Sequence, residues 1–363
     1  MAGNFVQLHN HTHYSLLDGA SKVPDLVKRV KELGMPAVGI TDHGNMHGAY
    51  ELWRAAVDSG VKPIIGIEAY VTPETARQDK TRVSWDTNWT PVPGHARNPD
   101  DVSGGGLITH LTMWAENDEG LVNLIKASSV ANLEGRVMRY PRMDKEVLST
   151  YSKGVIASSG CPSGIIQTRL RLGQFDEALR AAGEFQDIFG KDNFYIELMD
   201  HGLSIESKVT GDLLTIAKKL GAPLLATNDS HYVMEADKDA QDAMLCINSG
   251  ATLDDPNRFK FEGSGYYIKS AEEMRELFKD HPDACDNTLE IAERCNVIFD
   301  DHEDGAFMPQ FDCPEGWDET SLFLKKVEEG LEKRYDGNPP MEVLKQADYE
   351  CGVICQMQFC GYF

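Results

Sequence analysis

The sequence predicts an α/β protein built on a seven-stranded (βα) barrel, followed by a small, mostly helical segment. Three observations carry this prediction. Short apolar runs rich in β-formers alternate with amphipathic helical stretches. Residues of metal-ligand type recur inside or just after six of the seven runs. Beyond about residue 271 the strand pattern gives way to helical periodicity. Functional residues at the ends of many successive strands mark a (βα) barrel, whose site is built by its βα loops. A doubly wound sheet would gather them at one or two switch points.

In chain order the predicted strands are Phe5–His9, Ala37–Thr41, Lys62–Glu68, Leu107–Met113, Gly154–Ser158, Phe194–Leu198 and Pro223–Thr227. Amphipathic helices are expected at Pro24–Leu33, Tyr50–Val57, Leu121–Ala131, Pro162–Leu172, Asp176–Ile188 and Ile205–Leu220. The first has Gly34 as its stop signal and Pro36 beyond it. Strands alternating with helices argue for βαβ units and a parallel sheet.

Two stretches interrupt the rule. Residues 72–106 combine turn formers with Trp85, Trp89, Arg77, Lys80, Arg82 and Arg97. An insert of this length is a tethered surface loop or a lid that grips a single strand by stacking and charge. Residues 251–269 read as a hairpin. Helices then follow at Ala271–Phe278, Cys285–Cys295, Thr320–Tyr335 and Met341–Met357. The expected domains are therefore 1–285, the barrel, and 286–363, the helical segment.

The chain has 363 residues, 41% hydrophobic and 26% charged, which suits a globular protein with a real core. Lys and Arg number 35 against 58 Asp and Glu, a net charge of −23. General nucleic-acid binding rests on neutralising phosphates with Lys and Arg, so this balance argues against it. Bound cations or a local basic strip would still admit a polyanion at one place. The start, Met1-Ala2-Gly3-Asn4-Phe5, has no basic and apolar leader pattern, and the expectation is a soluble cytoplasmic protein. The eight cysteines form no CxxC pair and are expected as reduced thiols. The apolar ending Phe359-Cys360-Gly361-Tyr362-Phe363 reads as a cut from something longer.

The candidate chemistry sits at the strand ends. His9 and His11 are two apart in an extended segment, so both imidazoles share a face and can reach one ion. Asp18 lies in a following turn. His43 ends the second strand, and Asp42 beside it is placed to orient a neighbouring imidazole. Glu68 closes an apolar run, where an unpaired buried carboxylate would be costly without a metal or an Arg. His110 lies inside the fourth run, and Cys161 occupies a strand-to-helix turn. Asp229 and His231 end the last strand with the same spacing of two. Glu197 and His201, flanking the sixth strand, are candidates for a supporting role. Nine ligand-type residues exceed the needs of one tetrahedral ion. They suit two or three ions sharing a bridging carboxylate, the usual apparatus for phosphoester hydrolysis. His and Cys donors favour Zn²⁺, while the carboxylates leave Mn²⁺ or Fe open.

These segments resemble the polymerase-and-histidinol-phosphatase (PHP) family. The match is closer still to the N-terminal PHP domain of bacterial C-family DNA polymerase III alpha subunits of actinobacterial type. It is carried by His9-Asn10-His11-Thr12-His13-Tyr14-Ser15-Leu16-Leu17-Asp18-Gly19, Thr41-Asp42-His43-Gly44-Asn45, Pro63–Tyr70, Thr109-His110-Leu111-Thr112, Gly160-Cys161-Pro162-Ser163-Gly164 and Ala226-Thr227-Asn228-Asp229-Ser230-His231-Tyr232. Asp255-Pro256-Asn257-Arg258-Phe259-Lys260-Phe261 adds to it. The resemblance implies a distorted seven-stranded barrel with a trinuclear centre. It assigns His9, His11, Glu68 and Asp229 to one ion. Glu68, His110 and Cys161 take the second, and Asp18, His43 and His231 the third. With every ligand position filled, it implies an active 3′–5′ exonuclease that proofreads DNA synthesis. Its partners would be a DNA 3′ end, the rest of a polymerase, and replisome subunits such as the sliding clamp. Tyr349-Glu350, Val353-Ile354, Met357, Phe359 and Gly361-Tyr362-Phe363 resemble the start of the polymerase palm, with Gln358 where that pattern has Gly. The palm's catalytic aspartates are not among these residues.

The expected reaction is metal-assisted, in-line hydrolysis of the terminal phosphodiester. Two rivals stand beside it. One is a small-molecule phosphomonoesterase of histidinol-phosphatase type, which the polymerase-like segment 251–363 argues against. The other is an idle structural module of a polymerase, which the complete ligand set argues against.

Overall fold

The computed structural model describes residues 5–85, 105–300 and 310–363. The chain divides into two compact units, Met1–Phe299 and Asp300–Phe363. The first unit begins with α1 (Val23–Glu32), β1 (Ala37–Ile40), α2 (Ala49–Ser59), β2 (Lys62–Val71), β3 (Thr109–Ala115), α3 (Asp118–Glu134), β4 (Arg142–Met143) and α4 (Lys145–Thr150). It continues with β5 (Val155–Ser158), α5 (Ile165–Arg171), α6 (Phe175–Phe189), β6 (Phe194–Leu198), α7 (Ser204–Leu220), β7 (Leu224–Ala226), α8 (Lys238–Ser249), α9 (Ala271–Leu277) and α10 (Pro282–Arg294). β4, α4 and α8 have no counterpart in the sequence reading.

The strands form one curled sheet in the order β1-β2-β3-β5-β6-β7, with β4 paired to β2. The extended segment from Phe5 to Thr12 joins its two ends. Gly39 N donates to Gln7 O at 2.8 Å beside β1, and His11 N donates to Ser230 O at 2.8 Å beyond β7. The expected first strand is thus present as single bridges, Gln7 to Val38 and Asn10 to Ser230, rather than as a ladder. Gly39 makes the close approach possible, since a Cβ there would lie 2.5 Å from Leu8 O.

One direction differs from the parallel sheet expected. β3 runs antiparallel to both β2 and β5, and Val71 pairs with Thr109. The chain therefore leaves and re-enters the sheet at the same rim. A parallel return requires a crossover to the opposite rim, usually a helix. The described parts of 72–108 contain none. The reversal sets His110, at the start of β3, on the rim where β2 ends.

Side chains alternate along a strand, so each strand contributes one face to the barrel interior. Ile64, Gly66, Glu68 and Tyr70 share that face on β2, with Trp114, Thr112 and His110 opposite the last three. β5 adds Ile156 and Ser158, β6 adds Tyr195 and Glu197, and β7 adds Leu225 followed by Thr227. The interior is apolar at one end and polar at the other. Ile64, Trp114, Ile156, Tyr195 and Leu225 form a floor with Val6 and Leu8, closed by Ile291 and Ala292 of α10. Trp114 fills its centre, and its Nε1 donates to Leu8 O at 3.1 Å. The outward faces, including Ile40, Ile65 and Met113, pack under helices through residues such as Leu26, Val30 and Leu52.

α10 ties into the floor, and Val6 N donates to Thr288 Oγ1 at 3.0 Å. The boundary expected after residue 285 falls inside this helix. The predicted hairpin at 251–269 is not formed: the segment is a run of turns whose bridge goes from Tyr267 to Tyr232. Gly263 and Gly265 take φ of +76° and +87°, which breaks the alternation that the Tyr266–Ile268 pattern implied. In the insert, Trp85 is buried with the Arg169 guanidinium 4.5 Å above its ring. Arg77 pairs with Glu134, Asp144 and Glu146. Trp89 and Arg97 lie outside the described residues.

The second unit holds α11 (Glu319–Arg334) and α12 (Met341–Gln356). Asp318 caps α11, accepting from Ser321 N at 2.7 Å. Gln358 has φ of +60°, the left-handed region that favours glycine. No helix among the described residues is long and apolar enough to cross a membrane.

Candidate metal centre

The polar end of the barrel interior gathers all nine predicted ligands. Glu68 lies at the middle, 1% exposed. Its Oε2 lies 2.7 Å from His43 Nδ1 and 3.3 Å from His11 Nε2. Its Oε1 lies 3.1 Å from His110 Nδ1 and 3.6 Å from His9 Nε2. Asp229 Oδ1 stands 3.0 Å from His11 Nε2 and 3.4 Å from His9 Nε2. Asp18 Oδ2 reaches His43 Nε2 at 2.8 Å and His231 Nε2 at 3.4 Å. Cys161 Sγ is 3.4 Å from His110 Nδ1.

Several of these atoms are buried and find no hydrogen-bond partner outside the cluster itself. They are His9 Nε2, His11 Nε2, His43 Nδ1, His231 Nε2, Glu68 Oε2 and Asp229 Oδ1. Unsatisfied buried polar atoms are rare and costly, so six facing one another need a common partner. Ligands of one tetrahedral ion at 2.0–2.2 Å stand roughly 3.4 Å apart, close to the spacing seen here. Three ligand triads meet the distance requirement for an ion: His9, His11 and Asp229; His43, Glu68 and His110; and His11, His43 and His231. The donor set fits divalent ions.

Local structure aims three of the candidate ligands, His9, His11 and Asp229. Glu197, at the inward position of β6, holds His9 Nδ1 at 2.7 Å and accepts from Ser158 and Thr227 hydroxyls. That bond fixes the tautomer that turns Nε2 into the site. Asp42 acts on His11 through Ser15: Ser15 Oγ donates to Asp42 Oδ1 at 2.7 Å and lies 3.0 Å from His11 Nδ1. Thr12 N and Oγ1 also donate to Asp42, at 2.7 and 2.8 Å. Asp229 has φ of +42°, a strained conformation for a residue other than glycine. Its neighbours hold it there. Asn228 Nδ2 donates to Gly265 O at 2.7 Å and Tyr267 O at 2.8 Å, and Asn228 Oδ1 accepts from Lys269 Nζ at 2.6 Å.

His201 is not at the centre. Its ring bonds Glu206 and Asn228 O, and it stacks on Tyr266 with centroids 4.0 Å apart. It braces the loop that carries Asp229. Sequence reasoning missed Ser15, Thr112, Ser158, Thr227 and Tyr70. The period-2 pattern could have found the strand residues among them, since each is the inward position beside a candidate ligand or Glu197.

The charges are strongly coupled. Burial favours neutral Glu68, but His110 and His43 outweigh it and hold the carboxyl well below its usual range. Asp18 is likewise low, because His231 and His43 overcome burial. Burial opposes charge on His43, yet Tyr70, Glu68 and Asp18 raise it well above the ordinary value. His11 goes the other way, lowered by burial and by the neighbouring His43 and His231. Burial, then Glu68 and Asp229, push the Cys161 thiol well up. Carboxylates are thus kept ionised and crowded against imidazoles, an arrangement suited to divalent cations.

Over 361 residues the chain is 50% identical to the DNA polymerase III subunit alpha of Mycobacterium leprae and 49% identical to that of Mycobacterium tuberculosis H37Rv. Each alignment covers 99% of this chain and 30% of the relative. The Borreliella burgdorferi protein of that name is 39% identical, over 99% of this chain and 29% of its own. The chain therefore spans about 30% of the length of these curated relatives. A solved two-domain protein from Bacteroides vulgatus, described as containing a PHP-like metal-dependent phosphoesterase, superposes with a TM-score of 0.36 and 13% identity. That match covers 80% of this chain and 69% of the other. Residues 7–201, more than half of the sequence, match the PHP domain, and the chain belongs to that family.

Proposed function

We propose that this chain is a metal-dependent phosphodiesterase that removes nucleotides from a DNA 3′ end, the proofreading exonuclease of a longer replicative polymerase in the cytoplasm. The observation that carries the reading is the set of six buried atoms around Glu68 and Asp229 that face one another and find no partner outside the cluster. Two or three ions fit the donor count, with Zn²⁺ favoured by imidazole and thiolate and Mn²⁺ or Fe also compatible. His9, His11, Glu68 and Asp229 would hold one, Glu68, His110 and Cys161 a second, and Asp18, His43 and His231 a third. Divalent ions there would polarise a phosphoryl oxygen and bring the pKa of water to about 7.

The chain's own residues do the rest. Glu68 can serve two ions because its two oxygens face different histidines. Glu197 and the Asp42–Ser15 pair hold two imidazoles in fixed orientation. The strained backbone at Asp229 aims its carboxylate at His9 and His11 rather than into solvent. DNA, the remainder of the polymerase and replisome subunits such as the sliding clamp are the corresponding partners. The relatives named DNA polymerase III subunit alpha support this placement.

The test is hydrolysis of single-stranded DNA labelled at its 5′ end by the metal-loaded chain. Stepwise shortening from the 3′ end is expected. Intact DNA alongside a hydrolysed phosphomonoester would replace this reading with a small-molecule phosphatase.

A further inference from the structure

A second cavity abuts the metal centre and is unused by the ligands. It lies between α8 and the turn-rich loop around Arg258–Gly263, with a volume of about 430 Å³. That is inside the ~300–1,000 Å³ range of small-ligand sites. Its wall toward the candidate metal centre is Phe261, whose ring meets His231 edge-on with centroids 4.6 Å apart. Gln241, on the α8 side, donates to Asp18 O at 3.1 Å. The cavity thus touches the surroundings of two ligands of the third proposed ion.

The loop is built into place. Arg258 clamps Asp242 of α8 with both terminal nitrogens. Tyr266 OH donates to Glu262 O at 3.0 Å, and His231 N donates to Tyr266 O at 2.8 Å. A Cβ on Gly263 would lie 2.5 Å from His201 O, so the loop approaches the body at that point.

The chemistry of the lining departs from the rest of the molecule. The chain carries a net charge of −23. The cavity presents three cations, Lys238, Arg258 and Lys260, against the two carboxylates Asp242 and Glu262. Arg258 is committed to Asp242, whereas Lys238 and Lys260 make no ion pair among the described residues. Next to Lys260 on the other side, Phe259 is 61% exposed. Basic groups interleaved with aromatic rings are what single-stranded nucleic acid requires, phosphate on charge and base on ring.

We propose that this cavity is a subsite for single-stranded nucleic acid. It takes the nucleotide adjoining the phosphate at the metals, with a base against Phe261 and backbone phosphate at Lys238 and Lys260. The assignment rests on the phosphodiesterase reading and sharpens it: the substrate is a polynucleotide, because a small phosphomonoester fills the metal centre and leaves this cavity unused.

Two measurements on the Mn²⁺-loaded chain test it. The first is binding of a fluorescent single-stranded oligonucleotide with phosphorothioate linkages, followed by anisotropy. The double variant Lys238→Ala/Lys260→Ala should weaken binding about tenfold or more and make the slope of log Kd against log salt shallower by about 1. Phe261→Ala should weaken it about tenfold without changing that slope. The second is the ratio of kcat/KM for a DNA oligonucleotide to that for bis-p-nitrophenyl phosphate, which should fall in the same variants. Unchanged oligonucleotide affinity in both, or no binding by the wild-type chain, overturns the subsite. Wild-type binding without hydrolysis of either substrate overturns the phosphodiesterase reading alone.

Discussion

The two ends of the barrel interior are made by the same faces of the same strands, yet they are opposites. At one end Ile64, Trp114, Ile156, Tyr195 and Leu225 pack against α10 with no charge among them. At the other, two to four residues along the same strands, stand Glu68, His110, Glu197 and the hydroxyls of Thr112, Ser158 and Thr227. The floor stabilises the fold by removing apolar area from water. The polar end opposes folding unless its buried charges and lone pairs find partners. Stability and chemistry are thus separated along each strand by one or two steps of the two-residue repeat.

This contrast can be broken from either side, and the largest effect is expected at the polar end. Asp229→Asn tolerates the left-handed backbone but removes the ligand charge. Hydrolysis by the metal-loaded chain should fall by a factor of about 10³ or more, the scale of losing metal-assisted charge stabilisation. The melting temperature of the metal-free protein should fall modestly. Burial opposes charge on Asp229, but His9 and His231 outweigh it and hold the carboxyl below its usual range, so folding gains from that charge. The floor should respond in the opposite way. Trp114→Ala removes the central side chain and should cost roughly 3–5 kcal/mol in chemical denaturation, with metal binding lost only as the fold is lost.

Smaller effects are expected from the ions and from the groups that orient the candidate ligands. Stripping the ions with a chelator should lower stability by about 2.7 kcal/mol for each site emptied, relative to a hundredfold excess of metal over its Kd. The same treatment of Asp229→Asn should show a clearly smaller drop. Glu197→Gln keeps the shape beside His9 but weakens the hold on Nδ1. About 10–100-fold loss in metal affinity is expected, read by competition with a chromophoric chelator. An unchanged affinity would mean that the Thr112 hydroxyl, 3.4 Å from His9 Nδ1, positions the ring without the carboxylate.

The same division explains what could be read from sequence. Apolar runs exposed most of the strands, and residue types at their ends pointed to the candidate ligands, because those signals are local. Strand direction is not local. β3 reverses because the chain re-enters the sheet at the rim it left, with Thr109 paired to Val71, and the lack of helical periodicity in the sequence between the two strands was the available clue. β4, two residues long, carries no periodic signal at all. The turns at 251–269 imitated a hairpin because Tyr266 and Ile268 alternate, but their bridge is to Tyr232. The Asp42–Ser15–His11 relay was half visible: Asp42 stood beside a ligand, while Ser15 joins the relay only through the turn that brings its hydroxyl between them.

We propose that the nine residues at the polar end form one multinuclear metal centre. Anomalous diffraction at the Mn or Zn edge, from crystals of the chain grown with that ion, tests it directly. Two or three peaks within coordination distance of Glu68, Asp229 and Asp18 are predicted, with His9, His11, His43, His110, His231 and Cys161 divided among them. A single peak, or peaks elsewhere on the surface with none beside Glu68, would contradict it.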